Sequence, residues 1–140
     1  MREAKTTNAL RKLIRACVDD ERTLLHECKF VGPGCAQALT RMARERGQFV
    51  ADLERMGQCP LPHDGSWTEL SREVRRDIWV TAAGRNLGDA ITTCRHSLSR
   101  TEARYDEVLK NSWPDEIKDM LEGQRRRLRD ETAELIKLEF

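Results

Sequence analysis

The residues of this chain best suited to chemistry are acidic and polar side chains that interrupt four apolar stripes. Each stripe has the spacing of an amphipathic helix, in which apolar residues recur every three or four positions. Inside a helical bundle, such interruptions form a polar layer. Carboxylates that converge in such a layer can hold a pair of metal ions at a site that binds oxygen. The interrupting residues are Asp20-Glu21, Arg46, Thr101-Glu102, Gln124 and Glu131.

The chain lacks the Glu-x-x-His motif that supplies imidazole ligands to metal sites of this kind. The three histidines, none of which follows a glutamate by three positions, are His26, His63 and His96. All three are predicted to be solvated, because two lie off the apolar stripes and one lies in a proline-rich loop.

Arg46 also argues against a metal site, because its guanidinium stays cationic and would repel a metal ion. An unpaired buried charge is costly, so Arg46 is expected to pair with Glu21 or Glu102. We therefore predict a structural polar layer and assign no catalytic, cofactor-binding or metal-binding residue. The alternative is a metal site, of the di-iron kind or another, formed by Glu21, Glu102 and Glu131 without histidines.

The cysteines bear on the redox setting. Their number, five, is odd, and without a signal peptide it favours reduced thiols in the cytoplasm. Cys28 and Cys35 flank a glycine-proline-glycine turn and could form a redox pair, but two small packing residues are the favoured interpretation. Cys17 and Cys94 fall on apolar stripes and are predicted to pack in the core.

The composition is typical of a single helical domain. Charged residues make up 35% of the 140 positions and aromatic residues 5%, which suits helices with a narrow apolar stripe and a solvated outer face. The net charge of +1 gives no overall attraction to nucleic acid or to an anionic membrane. The basic run at 125–129 is followed directly by acidic residues, so a surface of salt bridges is predicted there.

Four long helices are predicted, over 7–28, 35–56, 89–110 and from Ser112 onwards. The turn between the first two is short, so these helices should pack antiparallel. The connection at 57–88 carries a helix of its own from Ser66, and a connection this long suits a crossover along the bundle. We therefore predict an all-α, up-down-down-up four-helix bundle with a helical crossover, formed by one domain over residues 1–140.

Three further features concern packing. Gly47 and Gly123 lie inside predicted helices, where glycine is unfavourable, so they are expected to mark close approach of backbones, either within the bundle or at a dimer contact. The tryptophans are expected to pack at the edge of the core or at an oligomer contact. They are Trp67, Trp79 and Trp113.

A set of segments spread over the predicted helices and the crossover carries a resemblance to a known family. These segments are Met42-Ala43-Arg44-Glu45-Arg46-Gly47-Gln48-Phe49, Gly65-Ser66, Trp79, Ala90-Ile91, Cys94, Tyr105 and Gln124. In them the chain resembles an uncharacterised bacterial family of ferritin-like four-helix bundles, over residues 7–137. The resemblance implies a ferritin-like fold, a cytoplasmic setting and a loose association with stress responses, and it implies no established enzyme activity. The sequence departs from the family around Cys94, where relatives are richer in glutamate and this chain has Thr93, Arg95, His96 and Ser97, and at Glu131-Thr132, where relatives often have histidine.

The function predicted from these features is that of a non-catalytic cytoplasmic bundle that acts by association with protein, most simply with copies of itself. No small-molecule substrate, nucleic acid or membrane is indicated as a partner. The alternative is a di-iron or other metal-dependent oxidase or an iron-handling protein.

Overall fold

The computed structural model describes residues 2–57 and 86–138, and over these ranges the chain is helical, with no strand. The predicted crossover, with its helix from Ser66 and with Cys59, His63, Trp67 and Trp79, lies outside the described residues. Four long helices are present, as the stripes predict. They are α1 (Arg2–Glu27), α2 (Pro33–Gly57), α3 (Leu87–Leu109) and α4 (Asp115–Leu138).

The helices end where the local sequence favours an end. A 3-10 turn at Cys28–Phe30 follows α1, and α2 then begins at Pro33, whose fixed φ suits a first helical position. The side chain of Asn86 caps α3 by accepting a hydrogen bond of 2.9 Å from the backbone N–H of Asp89. The fourth helix begins at Asp115, three residues after the predicted start.

The core is formed by the predicted stripes of all four helices. Burying these apolar side chains supplies the main driving force for folding. Cys17 and Cys94 are fully buried among them, which confirms their predicted packing role. The largest aliphatic and sulfur-containing members of the core are Leu10, Leu13, Ile14, Leu24, Leu39, Met42, Leu53, Ile91, Leu98, Leu121, Leu128 and Leu135.

Side-chain contacts show which helices are neighbours. On α1, Thr6 donates to Asn111, which follows α3, and Asp20 accepts from Ser97 on α3, so residue numbers rise along one helix as they fall along the other. The same opposition holds between α2 and α4, where Arg41 pairs with Glu134 and Arg127 pairs with Glu45.

The basic run of α4 forms salt bridges, as predicted, but its partners lie on other helices and not on α4 itself. Arg125 pairs with Asp106 at 2.7 Å, and Arg129 pairs with Glu102 at 2.5 Å. Exposed ion pairs contribute only about 0–1 kcal/mol each. These two pairs connect α4 to α3. The bidentate pair of Arg127 and Glu45 connects α4 to α2.

The two helical glycines differ in their surroundings. A Cβ atom at Gly47 would lie 3.6 Å from the carboxylate of Glu21, so this glycine does face a neighbouring helix closely. A Cβ atom at Gly123 would meet nothing within 4 Å among residues 2–57 and 86–138, so no close approach within this part of the bundle occurs there, and the dimer contact stays a prediction. Trp113 packs against the edge of the core and donates to the carbonyl of Val108, which agrees with its predicted place.

None of the helices in the described ranges combines the length and the apolar content that crossing a membrane requires.

Candidate functional site

The centre of the bundle holds a buried arginine between two buried acids. Arg46 lies on α2 with no exposed surface. Its Nε lies 3.2 Å from Oδ2 of Asp20 on α1, and its Nη2 lies 2.5 Å from Oε1 of Glu131 on α4. One guanidinium therefore joins three helices. We call Asp20, Arg46 and Glu131 the buried triad.

The guanidinium is also packed against an aromatic ring of its own helix. Its Cζ lies 4.8 Å from the centre of the Phe49 ring, which lies three positions further along α2. A cation over an aromatic face gains about 0.5–2 kcal/mol, more where water is excluded. The ring thus offsets part of the cost of removing the arginine from water.

The pairing predicted for Arg46 with Glu21 or Glu102 is wrong. Glu21 is half-buried beside Gly47, in the seam between α1 and α2, and Asp20 points to the centre instead. Glu102 is half-buried at the outer edge of α3, where it pairs with Arg129. In both cases the residue one position earlier continues the buried face of the helix.

A hydroxyl group from α3 completes the surroundings of Asp20. Ser97 donates a hydrogen bond of 2.5 Å to Oδ1 of Asp20, and Thr101 next to it donates to the carbonyl of Ser97 at 3.2 Å. Burial raises the pKa of Asp20 to about 6, although Arg46 and the hydroxyl groups act to lower it. Near neutral pH this carboxyl group is therefore mostly ionised, and a modest fall in pH protonates it.

Glu131 is more strongly perturbed. Burial raises the pKa of its carboxyl group to about 8; Arg46 opposes this rise and the nearby carboxyl group of Glu45 adds to it. Glu45 has the opposite shift, because its hydrogen bonds with Arg127 and Glu131 outweigh its desolvation and lower its pKa. The two neighbouring carboxyl groups therefore have pKa values displaced in opposite directions, upward for Glu131 and downward for Glu45.

A second polar group lies beside the buried triad. The hydroxyl of Tyr105 donates to Oε1 of Gln124 at 2.7 Å, and Sγ of Cys17 lies 3.8 Å from the same hydroxyl. Burial raises the pKa of the Cys17 thiol to about 12 and raises that of Tyr105 as well. A thiol that stays protonated is a poor nucleophile, so this group holds α1, α3 and α4 together and does not activate Cys17.

The three glutamates of the alternative metal site do not form a cluster. Of Glu21, Glu102 and Glu131, only Glu131 is fully buried, and its carboxylate contacts the guanidinium of Arg46. Over residues 2–57 and 86–138, no three histidine, cysteine or acidic side chains are grouped closely enough to hold a metal ion. The position at the centre of the layer is taken by a cation of the protein itself.

The remaining residues of interest lie away from this layer. His96 is exposed, as predicted. His26 is only half-exposed, because its ring lies 5.4 Å from that of Phe30. The thiol of Cys28 donates to the carbonyl of Leu24 at 3.2 Å. Neither Cys28 nor Cys35 forms a disulfide bond.

No model of a protein family, no curated protein and no solved structure matches this chain. The resemblance to ferritin-like bundles therefore stays a prediction, and the argument for function depends on the geometry of the chain itself.

Proposed function

We propose that this protein is a non-catalytic bundle of ferritin-like type that acts by association with other protein chains. The observation that carries the proposal is Arg46, paired with Asp20 and Glu131 at the level where a ferritin-like protein would bind metal. A guanidinium at this place repels metal cations and occupies the carboxylates that would bind them. The carboxylates of Asp20 and Glu131 therefore bind the guanidinium of Arg46 in place of a metal ion.

The contacts between helices support the ferritin-like arrangement. The first helix runs opposite to α3, as the pairs Thr6–Asn111 and Asp20–Ser97 indicate, and the short turn makes it run opposite to α2. Two helices that both oppose α1 run parallel to each other, as an up-down-down-up bundle requires. The free thiols of Cys28 and Cys35 suit the proposed cytoplasmic setting. The link with bacterial stress responses depends on the resemblance alone.

Exposed apolar side chains support association. The large ones among the described residues are Leu25, Leu87 and Ile136, each about two-fifths exposed. Leu25 precedes the turn into α2, Leu87 begins α3, and Ile136 lies close to Glu134, which pairs with Arg41 of α2. All three therefore belong to the same end of the bundle. We propose that a second copy of the chain packs on this apolar end, because burying such side chains favours association.

The test is the molar mass in solution, measured by light scattering across a concentration series. We expect a dimer or larger assembly. Replacing Leu25 and Ile136 by glutamate should shift it toward the monomer. The control, Ala51→Glu with Ala103→Glu, adds the same two charges at exposed positions away from the apolar end. A wild-type monomer at every concentration would contradict self-association.

Metal analysis of protein purified from iron-supplemented cells separates the proposal from the alternative oxidase. We expect no stoichiometric iron. About two irons per chain, as in di-iron bundles, would instead establish the alternative.

A further inference from the structure

A groove between α1 and α3 is lined mainly by cations. Its volume is about 300 Å³. The sides carry Lys12, Arg15 and Asp19 from α1 and Arg100 and Arg104 from α3, and the buried Asp20 lies in the floor. Four cations thus line the groove with two acids, although the chain as a whole has a net charge of only +1.

The cations of this groove have few acidic partners. Lys12, Arg15 and Arg100 have no carboxylate within salt-bridge distance among the described residues, and Arg104 reaches only the exposed Glu107, at 3.4 Å. By contrast, Arg125, Arg127 and Arg129 on α4 are each paired with a carboxylate of a neighbouring helix. The cations of the groove therefore remain available to bind an anion.

Asp19 does not cancel this capacity. Its carboxylate is shared, since Arg22, Arg100 and Arg15 all act on it and together oppose the rise in its pKa that burial causes. One carboxylate among several guanidinium groups leaves a net positive charge. Guanidinium groups suit phosphate in particular, because their paired N–H donors match two phosphate oxygens at once.

The floor of the groove directs an anion toward its sides. Ser97, Thr101 and Asp20 form the floor, and both hydroxyls donate inward, Ser97 to Asp20 and Thr101 to main-chain carbonyls. No hydroxyl hydrogen on the floor is left for an incoming anion, and the Asp20 carboxylate would repel one. The anionic part of a ligand therefore belongs between the cations of the two helices, above the floor.

The size of the groove limits the class of ligand. Lys12 and Asp19 are seven residues apart on α1, which corresponds to about 10 Å of helix. A volume of about 300 Å³ is at the small end of the range for ligand pockets. Two linked phosphoryl groups fit this length, whereas a polymer would need a charged track that continues beyond it.

We infer that the groove between α1 and α3 binds a small phosphate-bearing molecule, with Lys12 and Arg15 on one side of its phosphoryl groups and Arg100 and Arg104 on the other. This site is separate from the apolar end proposed for self-association and does not depend on it.

Pyrophosphate is the probe, titrated into the full-length protein by calorimetry at low salt. We expect saturable binding with one site per chain. Arg15→Ala with Arg100→Ala should weaken it about tenfold or more, because charge-assisted hydrogen bonds are lost. The matched control is Arg44→Ala with Arg126→Ala, at exposed arginines of α2 and α4 that have no salt bridge among the described residues. Circular dichroism and the molar mass of each variant establish that fold and assembly are kept.

Two results would overturn the inference. The first is an absence of saturable pyrophosphate binding. The second is an equal loss of binding in the control Arg44→Ala with Arg126→Ala, which would indicate general attraction to a charged surface. Single-stranded RNA or anionic vesicles that bind through Arg15 and Arg100 more tightly than pyrophosphate would also overturn it, in favour of a larger partner.

Discussion

A charged side chain with no exposed surface needs compensation from its neighbours, and Arg46 obtains it from Asp20 and Glu131. Removing one member of such a triad leaves an uncompensated buried charge and costs several kcal/mol, whereas replacing all three by apolar residues is often neutral or stabilising. Replacing one residue of the buried triad should therefore lower the stability of the fold, whereas replacing all three together should not.

We expect Arg46→Met alone to lower the free energy of unfolding by about 3–5 kcal/mol. The triple variant Asp20→Val, Arg46→Met, Glu131→Leu should be as stable as the wild type or more so, because no member of the triad is left without its partners. Urea unfolding measures both. Equal loss of stability in the single and triple variants would contradict this account.

The raised pKa values of the two buried acids predict how stability depends on pH. In the folded protein, the pKa of Asp20 is raised to about 6 and that of Glu131 to about 8, so the folded state holds more protons than the unfolded state between pH 4 and 8. Stability falls with rising pH wherever the folded state binds more protons. We therefore expect the contribution of these acids to weaken as pH rises from about 5 to 8.

Urea unfolding at constant ionic strength across this pH range gives the measurement. Glu131→Gln should flatten the pH dependence, because the amide does not titrate. Glu102→Gln, at an acid of the surface, serves as the control and should leave the slope in place. An unchanged slope in Glu131→Gln would contradict the prediction.

The helices themselves follow closely from the sequence. Apolar residues at helical spacing predicted all four, although α2 begins at Pro33, two residues before its predicted start, because the fixed φ of proline suits a first helical position. The stripes could not predict that the side chain of Asp20 faces the centre of the bundle and that of Glu21 does not. Adjacent positions differ by about 100° on a helix, and both lie close enough to the stripe for the neighbouring helices to decide which faces inward.

Gly123 gives a prediction at the scale of a helix. Glycine costs about 1 kcal/mol relative to alanine inside a helix, and a Cβ atom here meets nothing within 4 Å. Gly123→Ala should therefore raise the free energy of unfolding by up to about 1 kcal/mol, as measured by thermal unfolding. A lower stability would show that this part of α4 has a neighbour outside the described residues.

At the scale of the whole molecule, the net charge does not reveal where charges of one sign are concentrated. A net charge of +1 predicted no anionic partner, yet the groove between α1 and α3 gathers four cations. Lys12 and Arg15 share a face of α1, and Arg100 and Arg104 share a face of α3, but the sequence does not say that these faces adjoin. That information comes from contacts between distant segments, such as the hydrogen bond from Ser97 to Asp20.

The buried arginine also fixes how far α4 can slide along α2. Apolar stripes tolerate a slip of two helical turns, since one leucine can replace another seven positions away. Such a slip would bring Gln124 or Leu138 opposite the guanidinium in place of Glu131, and neither carries a charge to compensate it. A misaligned bundle would therefore leave the buried guanidinium with Asp20 as its one remaining partner in the triad, which is unfavourable because a buried charge needs full compensation. Arg46 thus sets the register of the fourth helix.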